Sequence, residues 1–234
     1  RRQRQMCIRD RSEGYRPGGW NRNAGVTPNC RNYATTNPNY CGGTPGDGTY
    51  RADIVLAYKS DNVLNNEIGI KTLLMDGKMR LNATWYSIEW TDIQVSQFDP
   101  VHVNFITFIE NAADADISGL EADMLYYPTD SLTISAAISL NDTEIVNDVA
   151  QTIPIVDIGN PLPLAPKRQG NVRIRKDLSS NQSYFQAAVK YASSTYNSFE
   201  AAKVLDQSAY TIVDFAYGLT INDVDVEFFI RNAN

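Results

Sequence analysis

No run of the roughly 18 to 20 apolar residues that a membrane-spanning helix requires occurs in these 234 residues, and mean hydropathy is −0.34, which excludes a helical membrane protein. A β-barrel is not excluded, because its strands show lipid only one apolar face and average out to the hydropathy of a soluble protein. There is one histidine, His102. That removes a His-ligated metal cluster and leaves a Ser-His-Asp triad one base with no serine motif around it. No Gly-rich loop follows a strand and opens a helix, so phosphate-binding signatures fail on context, and Gly18-Gly19 and Gly42-Gly43 read as loop punctuation. No secretory signal stands at the N-terminus, which fits a cytosolic protein or a fragment without its front end. Cysteines number three, Cys7, Cys30 and Cys41. The latter two share a Gly/Pro/Asn-rich stretch and read as a loop disulfide of an oxidising compartment, the alternative being two unpaired thiols. Basic charge is scarce outside the start. The formal net charge is −6, although six of the first eleven residues are charged, five Arg against one Asp, so the remainder is more acidic still and nucleic-acid binding is disfavoured.

What is abundant is period-two alternation. From Leu132 to Asn141, Leu132, Ile134, Ala136, Ile138 and Leu140 form one face, and Thr133, Ser135, Ala137, Ser139 and Asn141 the other, the pattern of a half-buried strand. Leu120, Ala122, Met124 and Tyr126 alternate with Gly119, Glu121 and Asp123. Phe185, Ala187, Val189 and Tyr191 alternate with Gln186, Ala188 and Lys190, and Val224, Val226, Phe228 and Ile230 with Asp225, Glu227 and Arg231. About nine strands are expected near 12–16, 63–75, 79–95, 114–127, 132–143, 167–177, 183–196, 207–221 and 224–233. Turns at Asp76-Gly77-Lys78, Pro128-Thr129-Asp130-Ser131, Leu178-Ser179-Ser180-Asn181 and Asn222-Asp223 alternate with long stretches at 17–62, 96–113, 144–166 and 197–207. Strict alternation of short and long connections predicts an all-β, antiparallel transmembrane barrel wall, with short periplasmic turns on one rim and long extracellular loops on the other. Tyr126 and Tyr127, and Trp85, Tyr86 and Trp90, fall where the membrane interfaces should be. An odd strand count of nine is incomplete for a bacterial single-chain barrel, so strands are missing.

Several segments then resemble, in order, those of TonB-dependent receptor barrels: Ser12-Glu13-Gly14-Tyr15-Arg16-Pro17-Gly18-Gly19, Asn66-Glu67-Ile68-Gly69-Ile70-Lys71, Asn111-Ala112-Ala113-Asp114-Ala115-Asp116-Ile117-Ser118-Gly119-Leu120-Glu121-Ala122, Pro161-Leu162-Pro163-Leu164-Ala165-Pro166-Lys167 and Phe228-Phe229-Ile230-Arg231-Asn232. The resemblance implies a partial barrel domain over 12–234 of a 22-stranded receptor in the bacterial outer membrane. It also implies a plug domain inside the barrel and a TonB energy-coupling complex that engages an N-terminal box. Plug and box are absent from this sequence, and the chain ends at Asn234 where such barrels end on an aromatic, so final strands are expected to be missing. The function implied is active uptake of a scarce nutrient, first a ferric siderophore, alternatively cobalamin or an oligosaccharide, with no catalysis and no cofactor. Residues 1–11 look foreign and resemble read-through of a sequencing adapter.

Within that frame Glu121 and Asp123, and Arg173 and Arg175, are expected to face the lumen, as charged residues do in large barrels, rather than to form a catalytic pair. Tyr33, Tyr40, Tyr50 and His102 in the outer loops are candidate ligand contacts, because loops on a rigid scaffold carry specificity. A rival of another class is a soluble or secreted β-sandwich that binds carbohydrate, its apolar face packed on a second sheet. A second rival, an outer-membrane barrel enzyme, needs a Ser/His pair near the rim that a single loop histidine supports poorly.

Overall fold

The structure, a computed structural model, describes residues 4–21, 57–99, 106–150, 157–178, 182–199, 204–222 and 224–233. In chain order the elements are β1 (Arg4–Arg16), β2 (Gly19–Trp20), β3 (Ala57–Tyr58), β4 (Asp61–Leu74), a 3-10 turn (Met75–Gly77), β5 (Met79–Asp99), β6 (Ile106–Thr129), β7 (Leu132–Asp148), β8 (Arg168–Asp177), β9 (Tyr184–Ala192), β10 (Thr195–Tyr196), β11 (Asp206–Gln207), β12 (Tyr210–Ile221) and β13 (Val224–Ile230). Nine of these form a single antiparallel sheet ordered β1-β4-β5-β6-β7-β8-β9-β12-β13, while β2–β3 and β10–β11 are separate two-stranded ladders. Every sheet strand lies beside its predecessor among the sheet strands, the up-and-down meander expected of a barrel wall. The sheet is not closed on itself among the described residues, and β1 and β13 are its edges.

Register carries the alternation across the whole width. Ile70 lies opposite Ala83, and the row continues through Ala122, Ile138, Gly170 and Tyr191 to Thr211. One residue along each strand, the row reads Lys71, Asn82, Asp123, Ala137, Asn171, Lys190 and Ile212. Since side chains switch faces at every residue, a slip by one would bring the second row to the face of the first. The short β4–β5 connection holds Met75, Asp76 and Gly77 at φ 52°, 57° and 89°. Glycine adopts that region freely and Asp tolerates it, so Met75 bears the strain of the reversal.

Three expectations need correcting. The first strand does not start near residue 12: β1 runs from Arg4 in unbroken register with β4, Arg4 opposite Leu73 and Arg16 opposite Asp61. The edge of β4 offers a row of backbone donors and acceptors, and the preceding residues take it up. The stretch 96–113 is not mainly loop, because β5 and β6 extend until Asp99 pairs with Ile106. Likewise β7 continues to Asp148, into the long stretch expected from residue 144.

The buried core sits at the long-loop end. Ile93, Ala112, Ala113, Ala115, Ile145 and Leu162 are all under 9% exposed, with Trp90, Tyr196, Phe199 and Val204 packed against them. Register places Trp90, Ala115 and Ile145 in one row on the same face as Asp123, so residues 157–166, 195–199 and 204 fold over the polar side of the wall. They are fastened there: Ile145 N–H donates to Asn160 O (2.9 Å), Leu162 N–H to Thr143 Oγ1 (2.9 Å), Leu164 N–H to Tyr196 O (2.7 Å), and Tyr196 hydroxyl to Pro161 O. Burial raises the Tyr196 phenol above its ordinary range, which keeps it a donor.

Candidate functional site

The two faces of the sheet differ in chemistry. On the first, from β4 to β13, the strands between their ends present Ile68, Ile70, Trp85, Leu120, Ile138, Leu140, Val172, Ile174, Val189, Phe215, Tyr217, Phe228 and Ile230. Many stay open, Ile138 at 47% and Phe228 at 63%, and no element among the described residues covers them. Charge appears on this face only at its margins: Glu89, Asp116, Asp142 and Glu144 outward of the apolar residues on β5–β7, and Arg168 and Lys176 at the two ends of β8. On β7 the apolar run from Leu132 to Leu140 matches the roughly 9 to 11 residues with which a tilted strand crosses a bilayer. A continuous uncovered apolar belt rimmed by charge is a surface for hydrocarbon, not for water. Trp85 and Tyr126 stand on this face as interface aromatics should. Tyr86 and Trp90 do not: they project from the opposite one.

The second face is polar, and several of its charged groups are held by hydrogen-bonding or ionic neighbours. Asn82 Nδ2 donates to both oxygens of Asp123 (3.1 Å each), and Arg80 lies 3.7 Å from the same carboxylate. Ser139 Oγ is 3.5 Å from Glu121 Oε1 and 3.1 Å from Asn141 Oδ1. Arg173 Nε donates to Ser135 Oγ at 3.3 Å, and Arg175 Nε to Asp177 at 2.9 Å, its guanidinium 3.6 Å from the centroid of Tyr184. Glu121, Asp123, Arg173 and Arg175 thus stand on one face, and the first two line a trough of about 520 Å³ together with Thr84, Gln169, Asn171 and Lys190. Charges of both signs at hydrogen-bonding distance make a surface that holds water or a polar partner.

Two tyrosines on this face act across three strands each. Tyr86 on β5 leans over Gly119 on β6 to donate to Asn141 on β7. Tyr184 on β9 leans over Gly218 on β12 to donate to Glu227 on β13. An added Cβ at either glycine would collide with the tyrosine. The alternation shows these glycines only as polar-face positions, and nothing in it marks them as seats for a ring on the next strand.

At the outer end of the same face lies a hub that the sequence does not announce. Asp61, 1% exposed, accepts from Arg16 N (3.0 Å), Arg16 Nε (2.8 Å), a terminal guanidinium N–H of Arg16 and Trp90 Nε1 (3.1 Å). Burial alone would raise its carboxyl, but these bonds outweigh burial and hold it below the usual carboxylate range, while Arg16 is raised in return. Gln94 Nε2 donates to Arg16 O, Pro17 O and Lys59 O at 3.3, 3.1 and 2.9 Å, and Asn111 exchanges bonds with Lys59. Asn21 pairs with Ile109 through both N–H and C=O. Both roots of the segment 22–56 are thereby tied to β5 and β6, with Gly18 and Gly19 admitting the backbone and ring of Tyr58. Tyr33, Tyr40, Tyr50, His102, Cys30 and Cys41 lie outside the described residues.

An antiparallel wall with one hydrocarbon face and one wet face defines a transmembrane β-barrel. Residues 12–233 match the family model for the TonB dependent receptor-like β-barrel, and the chain belongs to that family of bacterial outer-membrane proteins. Solved structures similar to it include the ferric yersiniabactin uptake receptor FyuA from Yersinia pestis (TM-score 0.68, 15% identity, covering 98% of this chain and 30% of that one). The siderophore receptor PiuA from Acinetobacter baumannii is similar at TM-score 0.65 and 18% identity (97% and 29%), and the ferric-catecholate import receptor Fiu from Escherichia coli K12 at 0.63 and 14% (98% and 28%). The chain therefore spans under a third of the length of these receptors. No characterised protein matches it by sequence.

Proposed function

We propose that this chain is part of the barrel wall of an importer that takes up a ferric siderophore, and that it carries out no catalysis of its own. The family match over residues 12–233 carries this reading; it is supported by the neighbours, whose names are those of siderophore and ferric-catecholate receptors. In the whole receptor the trough around Glu121 and Asp123, with Arg173 and Arg175 beyond it, meets a plug domain that fills the lumen, and a TonB complex supplies energy through an N-terminal box. Ligand is met at the outer rim by Tyr33, Tyr40, Tyr50 and His102, with Cys30 and Cys41 bridged in the same loop.

The test is uptake of radiolabelled iron in cells producing the whole receptor that contains this sequence, under iron limitation, with a panel of ferric siderophores. Saturable uptake of at least one siderophore that stops when the energy-coupling complex is deleted supports the reading. Uptake of cobalamin or an oligosaccharide in its place, with growth indifferent to iron, overturns the iron assignment and leaves the importer class standing.

Residues 1–11 are not part of the receptor in this reading. The phase of β1 lends it partial support: Gln5, Arg9 and Arg11 stand on the face that is apolar elsewhere and Met6 and Ile8 on the polar one, although Cys7, Arg4 and Asp10 keep the phase of the other strands. A strand native to a membrane wall has the opposite phase.

A further inference from the structure

The apolar face is not evenly filled. A hollow of about 500 Å³ crosses it from β5 to β9, its floor made where Ala122, Ala136 and Gly170 stand low among Met124, Ile138 and Val172. Gly170 cannot grow, because a Cβ there would meet Ala137 O at 2.9 Å, so the close approach of β7 and β8 fixes the depression. Asp123, Gln169 and Asn171 also border it, but register stands their side chains on the polar face, so Arg168, opposite Leu140 at the outer end of the apolar run of β8, is the one charged residue that the apolar face itself contributes to the lining.

Arg168 is exposed and pairs with no carboxylate among the described residues. Its backbone N–H is held by Ser193 Oγ at 3.2 Å, which fixes the root of the side chain. The carboxylates Asp142 and Glu144 stand further out on β7, beyond Leu140, so the space beside Arg168 opens toward β8 and β9. Lys176, the other cation on this face of β8, stands at the opposite rim and already donates to Ser131 Oγ at 2.6 Å.

We propose that this hollow seats one acyl chain of an anionic, phosphate-bearing lipid of the outer leaflet, with Arg168 gripping the headgroup phosphate. The apolar floor excludes water and suits a hydrocarbon tail, and a guanidinium presents paired N–H donors that match phosphate oxygens. Arg168 could otherwise merely snorkel to the interface, as basic residues do at any membrane rim. A built seat differs from snorkelling in needing both the cation and the empty floor. The proposal rests on the membrane placement of the barrel and is independent of the cargo.

The experiment is native mass spectrometry of the whole receptor containing this sequence, extracted in mild detergent, with phosphate counted per protein after detergent exchange. The wild type is expected to keep about one anionic lipid. Arg168→Gln and Ala136→Leu are each expected to lose it about tenfold, the effect of one charge-assisted hydrogen bond or of a filled floor, and Lys176→Gln to keep it. Ala122→Ile serves as the second floor-filling variant should Ala136→Leu fail to fold. Equal retention in all variants, equal loss in Lys176→Gln, or no lipid on the wild type overturns the proposal. Retention only of an inner-leaflet glycerophospholipid overturns it as well.

Discussion

The ring of Tyr184 lies against the bare α-carbon of Gly218, and its hydroxyl reaches past that glycine to donate to Glu227 on the following strand. Tyr86 repeats the arrangement over Gly119, with Asn141 as acceptor. Each tyrosine thereby ties three adjacent strands on the wet side of the wall with one side chain, and each depends on a residue that has none. Gly218→Ala and Gly119→Ala are expected to lower stability by roughly 1 to 3 kcal/mol, the cost of overpacking. Gly14→Ala, where an added Cβ meets nothing within 4 Å, should stay within about 0.5 kcal/mol of wild type. Urea titration of the receptor in lipid vesicles compares the three.

Neighbouring residues on β7 should respond oppositely to the same substitution. Ile138→Arg puts a guanidinium on the apolar face and is expected to cost about 2 to 4 kcal/mol. Ala137→Arg adds the charge beside Asp123 and Asn171 in the polar trough and is expected to be close to neutral. Folded fraction in vesicles, read from the gel shift of unheated against heated samples, separates them; an equal loss for both would contradict the assignment of faces.

Acid should loosen the Arg16–Asp61 hub. The folded-state pKa of Asp61 is depressed, so its stabilising contribution is fully present above the ordinary carboxylate pKa and is lost as pH falls through the lower folded value. Asp61 is buried but Arg16 is half-exposed, so solvent screening reduces the ion pair, and Asp61→Asn is expected to cost about 1 to 2 kcal/mol at neutral pH. Hydrogen exchange at the Arg16 amide, which donates to Asp61, reports it directly. Protection should fall in the acid limb for wild type and be low and flat across that limb for Asp61→Asn.

If residues 1–11 are foreign, deleting them from the receptor should leave assembly and urea resistance unchanged. Replacing them with a segment of the phase that the other strands show should raise resistance. A marked loss of assembly on deletion would count the segment as native.

The meander and its two faces were legible because lipid on one side and water on the other impose different residues at every second position, as from Leu132 to Asn141. Legibility ended where that difference ends. On β5 and β6 beyond the membrane the outer surface is polar and the inner one carries the core around Ile93, while shifts of register at Trp90/Ile93 and Ile93/Gln94, beside Asp92 at φ 53°, break the parity on which the reading depends. Hence 96–113 read as loop. That Glu121, Asp123, Arg173 and Arg175 share one face could be picked out, since strand phase alone puts each opposite the apolar side. The Asp61 hub could not, because Arg16 and Asp61 stand 45 residues apart and only the pairing of β1 with β4 brings them together. Residue type alone puts Tyr86 and Trp90 at the interface, whereas their phase turns them to the polar face.

The bonds from Leu164 to Tyr196 and from Tyr196 to Pro161 join two stretches that leave the sheet on different strands. Neither can be pushed aside while those bonds hold unless it drags its companion. Displacing either stretch therefore displaces the other, so this part of the outer end shifts as one piece instead of strand by strand.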